Sequence, residues 1–300
     1  RADLCRAVME GTACAVRETI ARLATSDIRV SELRLTGGPA ESDLWNQITA
    51  DVTGLPVLVP AVSSGAAAYG AALLAGLGVG IIPMDDRYES LRRLVVLRRS
   101  FRPRAHYGPC MPPFASSLPT PPASQRSSRL TSYRLLGDNY MSLLGIDVGT
   151  TGCKAGVISA EGEFLALAYR EYDIVRPQPD WAEMDSRGVW QKVKEVIAQV
   201  VQSTRHDPVT ALATASMGEA MTPVSAERTI LGNSLHMFDA RGDEYVAELA
   251  VRPGRERLHA INGNVLGTPY SAPKLAWVRD HQPELFHPAH WFWLWAGLVG

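Results

Sequence analysis

Apolar residues recur at near-helical spacing from the start of the chain. Leu4, Val8, Val16, Ile20 and Leu23 predict an amphipathic helix over residues 2–24. Glu32–Thr36 reads as a short strand ending in Gly37-Gly38, and Leu44, Ile48 and Val52 mark a second helix stopped by Gly54. Leu55–Pro60 is a short extended run, and residues 65–79 form a helix of small residues. The uncharged stretch Gly65–Met84 is about as long as a bilayer span. It is rich in Ala and Gly rather than Leu, Ile and Phe, which predicts a buried helix. Helices interleaved with short strands point to an α/β layer architecture.

The pattern breaks after residue 91. Seven of the 20 prolines fall between Pro103 and Pro122, mixed with Ser and Arg, and no period of 2 or 3.6 survives. Residues 92–140 therefore read as a disordered linker between a leading segment, 1–91, and a trailing one, 141–300. The trailing segment restarts cleanly. Leu143–Val148, Ala155–Ser159 and Glu163–Ala168 predict three strands of an antiparallel meander joined by turns. Val189, Val193, Val196, Ile197, Val200 and Val201 stripe one helix face, with Ser186 placed to cap it. Val209–Ser216 is a further strand, and Pro273 opens another helix.

Charge sharpens the division. The net charge is −1, so nothing in bulk favours nucleic acid or an anionic membrane. Residues 92–140 nevertheless carry nine Arg against one Asp, while 1–91 carry 7 basic against 11 acidic residues and 141–300 carry 14 against 19. The four cysteines show neither disulfide-framework nor zinc spacing, which fits a reducing cytosol.

Two turns carry candidate chemistry. The first is Asp147-Val-Gly149-Thr150-Thr151-Gly152-Cys-Lys154, set between two strands. Its glycines allow a tight turn whose amides can face phosphate oxygens, and its threonines add hydroxyl donors. Asp147 at the strand end can hold Mg²⁺ through water, because that ion keeps most of its hydration shell. The spacing is neither a Walker loop nor a dinucleotide fingerprint, and a plain Gly/Thr hairpin turn is the competing reading. The second is Gly37-Gly38-Pro39-Ala40-Glu41-Ser42, between a strand and a helix. Paired glycines admit a flat ligand close to the backbone; a tight βα turn is equally consistent.

Together these motifs resemble the FGGY carbohydrate kinases. In 141–300 the matching pieces are Gly145–Lys154, Pro179-Asp-Trp-Ala-Glu-Met-Asp185, Ser216-Met-Gly-Glu219, Asp239-Ala-Arg241 and Ser271-Ala-Pro-Lys-Leu-Ala-Trp277. In 1–91 they are Arg6-Ala-Val-Met-Glu-Gly11, Gly37-Gly38 with Ser42, Trp45 and Gln47, Ala50-Asp-Val52 and Ala68-Tyr-Gly-Ala-Ala72, similar to the end of the family's C-terminal domain. The resemblance implies an actin-like, ribonuclease-H-like α/β fold. Its function would be phosphoryl transfer from ATP, with Mg²⁺, to a hydroxyl of a small sugar or polyol. A homodimer is compatible with it; nucleic acid and membrane are not expected partners.

By the same resemblance, Asp147 orients Mg²⁺, while Gly149, Thr150, Thr151 and Lys154 serve the phosphates. Gly37, Gly38 and Ser42 lie near the nucleoside, and Glu219 and Asp239 face the sugar. A solvated loop carboxylate for Glu219 and a surface ion pair for Asp239-Ala-Arg241 are the bland alternatives. Met217, Gly218, Met237 and Phe238 replace the Trp, Gln, His or Arg usual around these positions, so the sugar stays undetermined. The two pieces stand in reversed order, and the family's catalytic Asp, which opens its second domain, has no counterpart; the chain is expected not to turn over sugar as it stands. A junction of two neighbouring kinase genes, a circularly permuted kinase and a non-catalytic sugar- or nucleotide-binding module are the three accounts of that order. An actin- or chaperone-like ATPase is the alternative within the same fold.

Overall fold

The computed structural model describes residues 2–63, 65–85, 89–104 and 141–300. In chain order the first elements are α1 (Ala2–Ala24), β1 (Leu33–Arg34), α2 (Asp43–Thr53), β2 (Val57–Pro60), α3 (Ala66–Gly78), α4 (Glu89–Leu94) and β3 (Leu97–Phe101). Then come β4 (Ser142–Val148), β5 (Gly152–Ile158), β6 (Phe164–Glu171), β7 (Glu183–Met184), α5 (Ser186–Ser203), β8 (Val209–Ser216), β9 (Met221–Val224) and β10 (Ser234–Leu235). The chain closes with α6 (Asp243–Leu249), α7 (Arg255–Asn262), α8 (Ser271–His281), α9 (Pro283–Phe286), β11 (Trp291–Leu294) and α10 (Trp295–Val299). Two compact units result: Arg1–Ala66 with Leu91–Asn139, and Ala67–Ser90 with Tyr140–Gly300. Helix α3, expected to stay with the leading segment, thus belongs almost entirely to the second unit.

The first unit holds a three-stranded sheet in the order β1-β2-β3, with β1 parallel and β3 antiparallel to β2. Ala40 and Ala50 pack on Val57 and Val59 of β2. Helix α2 starts at Ser42, whose Oγ accepts from the Trp45 amide at 3.3 Å, and ends at Gly54 in the left-handed conformation, as its sequence predicts. Helix α1 buries less than its stripe suggests. Met9, Ala13 and Cys14 pack on Ile48 and Val52, while Leu4 and Val8 are exposed, because the packing partner from α2 lies only against the middle of the helix.

Strand β3 corrects the linker reading over residues 92–104. Two arginines of this stretch, Arg99 and Arg104, are counter-ions, not linker filler. Arg99 donates to the Ala40 carbonyl at 2.8 Å and pairs with Asp43. The Arg104 amide and guanidinium reach the buried Asp51 carboxylate at 2.7 and 3.0 Å. Burial alone would raise Asp51, but the bonds from Arg104 and Gln47 outweigh it and hold the carboxyl below its usual range. Phe101 joins the core under β2. The linker expectation for 105–140 lies outside the described residues.

The second unit is built on the sheet β6-β5-β4-β8, an antiparallel meander completed by β8 running parallel to β4. Helix α5 covers one face, laying Val189, Val193, Val196 and Val200 against Leu144, Ile146, Val148 and Val157. Its cap is Asp185, whose carboxylate accepts from the Gly188 amide at 3.1 Å. Ser186, expected there, is instead buried, its Oγ 2.7 Å from that of Ser234. A second sheet, β11-β9-β10-β7, packs through Met221 and Leu235 on Val278 of α8. Among the described residues, no helix is long and apolar enough to cross a membrane.

Candidate functional site

Strands β4 and β8 end side by side, with Asp147 opposite Ala215 and Val148 opposite Ser216. The Met217 amide then donates to the Val148 carbonyl at 2.9 Å. Two segments singled out in the sequence, the turn 149–151 and Ser216–Glu219, therefore leave the sheet at the carboxyl ends of adjacent parallel strands, where α/β sheets place their ligands. The turn is closed by the Gly149 amide donating to the Gly152 carbonyl at 3.0 Å. Tyr172 braces it from below: its amide donates to the Thr151 carbonyl at 3.1 Å and its hydroxyl to the Gly149 carbonyl at 2.7 Å. Burial pushes the Tyr172 phenol above its ordinary value, so it stays a donor. The Gly149 amide is engaged inside the turn. The amides of Thr150 and Thr151 donate to no backbone carbonyl among the described residues and are the two that can face an anion.

Asp147 and Lys154 stand opposite each other across β4 and β5. Burial raises the Asp147 carboxyl above its usual range, and Lys154 offsets part of that rise. Lys154 Nζ lies 5.3 Å from the centre of the Tyr169 ring, a cation–π contact that keeps it beside the turn. Among the described residues no group of three or more His, Cys, Asp or Glu is placed to hold a metal ion. A lone strand-end carboxylate suits an ion that keeps its waters. A cleft of about 440 Å³ adjoins the turn through Tyr172 and is also lined by Glu171, Asp173, Asp185, Gly188 and Lys192.

Glu219 is not a free loop carboxylate. Its Oε2 accepts from the Ser271 amide at 2.8 Å and the Ser271 hydroxyl at 2.6 Å, which ties its loop to the start of α8. Lys274 of α8 is buried, donates to the Thr268 carbonyl, and feels the charges of Asp239 and Glu219. Burial dominates and draws its ammonium below the usual value.

Asp239-Ala-Arg241 is a buried knot rather than a surface ion pair. Asp239 is 1% exposed, and its Oδ2 accepts from the Ala182 amide at 2.7 Å and from Arg241 at 2.6 Å. Its Oδ1 accepts the Arg241 amide and Nε, both at 2.9 Å. Arg241 also pairs with Glu183 at 2.8 Å and lies against the rings of Trp181 and Trp277. Gly242 follows with φ of 89°, and any Cβ there would stand 2.5 Å from the Pro273 backbone. Trp181, Glu183, Lys274 and Trp277 lie inside the family-like motifs but carry no role legible in the sequence alone. The signal was their joint presence: three separated motifs converge on one guanidinium.

Gly37, Gly38 and Ser42 lie in the first unit, the other candidates in the second. Gly37 adopts φ of 85°, a conformation that favours glycine, and among the described residues, chain neighbours aside, no atom lies within 4 Å of where a Cβ would stand on Gly37 or Gly38. Ser42 is engaged in capping α2.

Comparison with known proteins also finds two pieces, with α3 assigned to the leading one. Residues 142–298 match the model of the FGGY family of carbohydrate kinases, N-terminal domain, and residues 1–79 match its C-terminal domain. The xylulose kinase of Escherichia coli is 30% identical over 143 residues, covering 48% of this chain and 29% of its own length. A glycerol kinase of Methylorubrum extorquens is 35% identical over 140 residues, covering 45% and 28%. The chain thus spans under a third of these relatives. Among solved structures, the xyloylose kinase from Brucella ovis aligns with a TM-score of 0.49 at 26% identity, over 53% of this chain and 32% of that one. The xylulose kinase from Rhodospirillum rubrum gives 0.47 at 26%, over 50% and 31%. With its N-terminal-domain match alone covering more than half of its residues, the chain belongs to the FGGY family of carbohydrate kinases.

Proposed function

We propose that the second unit carries the phosphate-binding and sugar-facing parts of an ATP-dependent kinase acting on a hydroxyl of a sugar or polyol. The observation that carries this reading is the bond from the Met217 amide to the Val148 carbonyl at 2.9 Å, which brings the turn 149–151 and the loop of Glu219 to one end of the sheet. In this reading the Thr150 and Thr151 amides and Lys154 bind the phosphates. Asp147 fits Mg²⁺, because its carboxylate accepts no hydrogen bond from the described residues and lies beside the turn. When bound, Mg²⁺ supplies charge neutralisation on the phosphate oxygens. Glu219 orients a substrate hydroxyl through its second oxygen, and Asp239, on a separate loop, acts by fixing Arg241 beside Trp277 of α8. Taken by itself, the first unit offers Gly37 and Gly38 as a backbone edge that fits a nucleoside.

We assign no general base. Glu219 is held by Ser271, and both oxygens of Asp239 are held by Arg241 and the Ala182 amide. Without an acceptor for the hydroxyl proton, about 10²–10⁴ in rate is missing.

Thermal-shift measurements test the reading. Mg·ADP should raise the Tm of the full chain but not that of Asp147→Ala. Xylulose or glycerol should add a further rise that Glu219→Gln lacks. A response to nucleotide alone supports the ATPase alternative, a response to sugar alone the binding module, and none to either removes the proposal.

A further inference from the structure

The face of the main sheet that looks away from α5 carries Asp147 and Lys154 at one end, and the rest of it, from Leu143 to Gly145, lies outside the site as proposed. Side chains alternate along a strand, and Leu144 and Ile146 point into the α5 core. Leu143 and Gly145 therefore lie on the other face, opposite Ile158 and Gly156 of β5. Helix α3 rests on this face. A Cβ on Gly145 would overlap the Ala68 carbonyl oxygen and stand 2.7 Å from both the Ala68 carbonyl carbon and the Ala72 amide nitrogen. All three are backbone atoms, so no side chain can swing aside to make room. Further along the helix, a Cβ on Gly76 would meet Leu143 at 2.6 Å and Ile82 at 2.8 Å.

The helix matches the strand in kind. Ala68 and Ala72 are fully buried, and Ala71, Ala75 and Gly76 are buried beside them. Its one large buried polar side chain, Tyr69, reaches the β5–β6 turn. The Tyr69 hydroxyl donates to the Gly162 carbonyl at 3.0 Å, and its ring packs on Phe164 at 5.4 Å between centroids. Helix α3 lies within the segment 1–79 and the strands within 142–298, so elements of both family matches meet in one compact unit.

We infer that α3 is an obligatory layer of the second unit: residues 67–82 and 142–171 fold and open together, and the β4–β5 face is a docking surface for this small-residue helix of the same chain. Three features argue for this. The contact is backbone against backbone, which leaves no gap to relax into. It is anchored at a second point by Tyr69. It also closes over Leu143 of that face, whose side chain lies against Gly76 where a Cβ would not fit. The inference is independent of the kinase reading, since it concerns the sheet and not the ligand.

Native-state hydrogen exchange on the full chain, in sub-denaturing urea, tests it. Peptides from α3 and from β4–β5 should exchange with the same urea dependence and through the same opening. In Ala72→Leu, which enlarges the helix without touching the strands, exchange should rise about tenfold or more in both peptides together. Leu74→Ala, at a position 61% exposed, should change neither. The inference is overturned if α3 exchanges through a separate, easier opening in the unmodified chain. It is equally overturned if Ala72→Leu accelerates α3 while β4 and β5 keep their protection. Should Ala72→Leu fail to fold, the urea dependence of the unmodified chain decides alone.

Discussion

The Arg241 guanidinium carbon sits 3.9 Å from the centre of the Trp181 ring. That stacking, with carboxylates of Asp239 and Glu183 at 2.6 and 2.8 Å, makes Arg241 the point where three stretches of chain are joined. Burial opposes its charge, but the Asp239 and Glu183 bonds outweigh that and raise its ordinary value further. Removing one partner of a buried pair leaves the other charge uncompensated, at about 3–5 kcal/mol. Arg241→Met should therefore lower the urea midpoint of the second unit severely. Arg241→Lys should fall between it and the unmodified chain, because an ammonium cannot reproduce the fork and the stack. Tryptophan fluorescence during unfolding reads both, and a loss below about 1 kcal/mol in Arg241→Met would mark the pair as solvated.

Asp147 separates stability from ligand binding. Its carboxyl is raised, chiefly by burial, so the folded chain holds that proton more readily than the unfolded one. Stability from this group is greatest at acid pH and declines as pH rises from the ordinary carboxylate value through the raised one. At neutral pH, Asp147→Asn should unfold at the same or a higher temperature, while the nucleotide-induced rise in Tm disappears. A lower Tm without ligand would show that the carboxylate has a structural partner.

His236 should make the second unit acid-sensitive. It is fully buried, its Nδ1 accepts from the Phe238 amide at 3.2 Å, and its Nε2 has no partner among the described residues. Burial lowers its pKa; Lys274 and Arg176 add to this and Asp239 opposes it. The unfolded chain thus binds a proton near 6.5 that the folded chain refuses. Stability should fall as pH drops below that value and level off at the lowered folded value. Urea midpoints from pH 7.5 to 5 should show this slope in the unmodified chain and a shallower one in His236→Leu.

Strand β3 should matter to the first unit. Phe101→Ala removes an aromatic that is only partly buried, so its cost should lie below the roughly 3–5 kcal/mol of a fully buried Phe, at about 2 kcal/mol. Asp51→Ala strips the acceptor shared by Gln47 and Arg104. Both variants should expose 97–104 to limited proteolysis. If that stretch is cut equally fast in the unmodified chain, β3 does not hold.

Turnover is the last expectation. Coupled-assay phosphorylation of xylulose, gluconate or glycerol by the full chain should not exceed that of Asp147→Ala. Activity above this control would identify an acceptor for the hydroxyl proton, with Glu219 and Asp239 the first two residues to replace.

Much of the architecture was legible because periodicity reports burial. The strand Val209–Ser216 and the helix ending at Gly54 appear where their patterns place them. What escaped was set by contacts distant in sequence. Arg99 and Arg104 look like linker composition until Asp43 and Asp51, some fifty positions earlier, supply their counter-charges. Ser186 looks like a cap until Ser234 claims its hydroxyl and Asp185 takes the role. The site divides likewise: the turn 149–151 is local and was readable, whereas the commitment of Asp239 to Arg241 inside an aromatic cage was not.

Gly145 also acts as a gauge on strand pairing. A slip of β4 by two residues would keep its faces but bring Leu143 or Asp147 beneath the Ala68 carbonyl, where not even a methyl group fits. A slip by one would present Leu144 or Ile146 there, with the same clash. Only one alignment of β4 passes under α3, and that alignment sets Asp147 beside Lys154 and joins Val148 to Met217. The absence of a side chain at one position thus fixes, to the residue, where the chemistry of its neighbours is delivered.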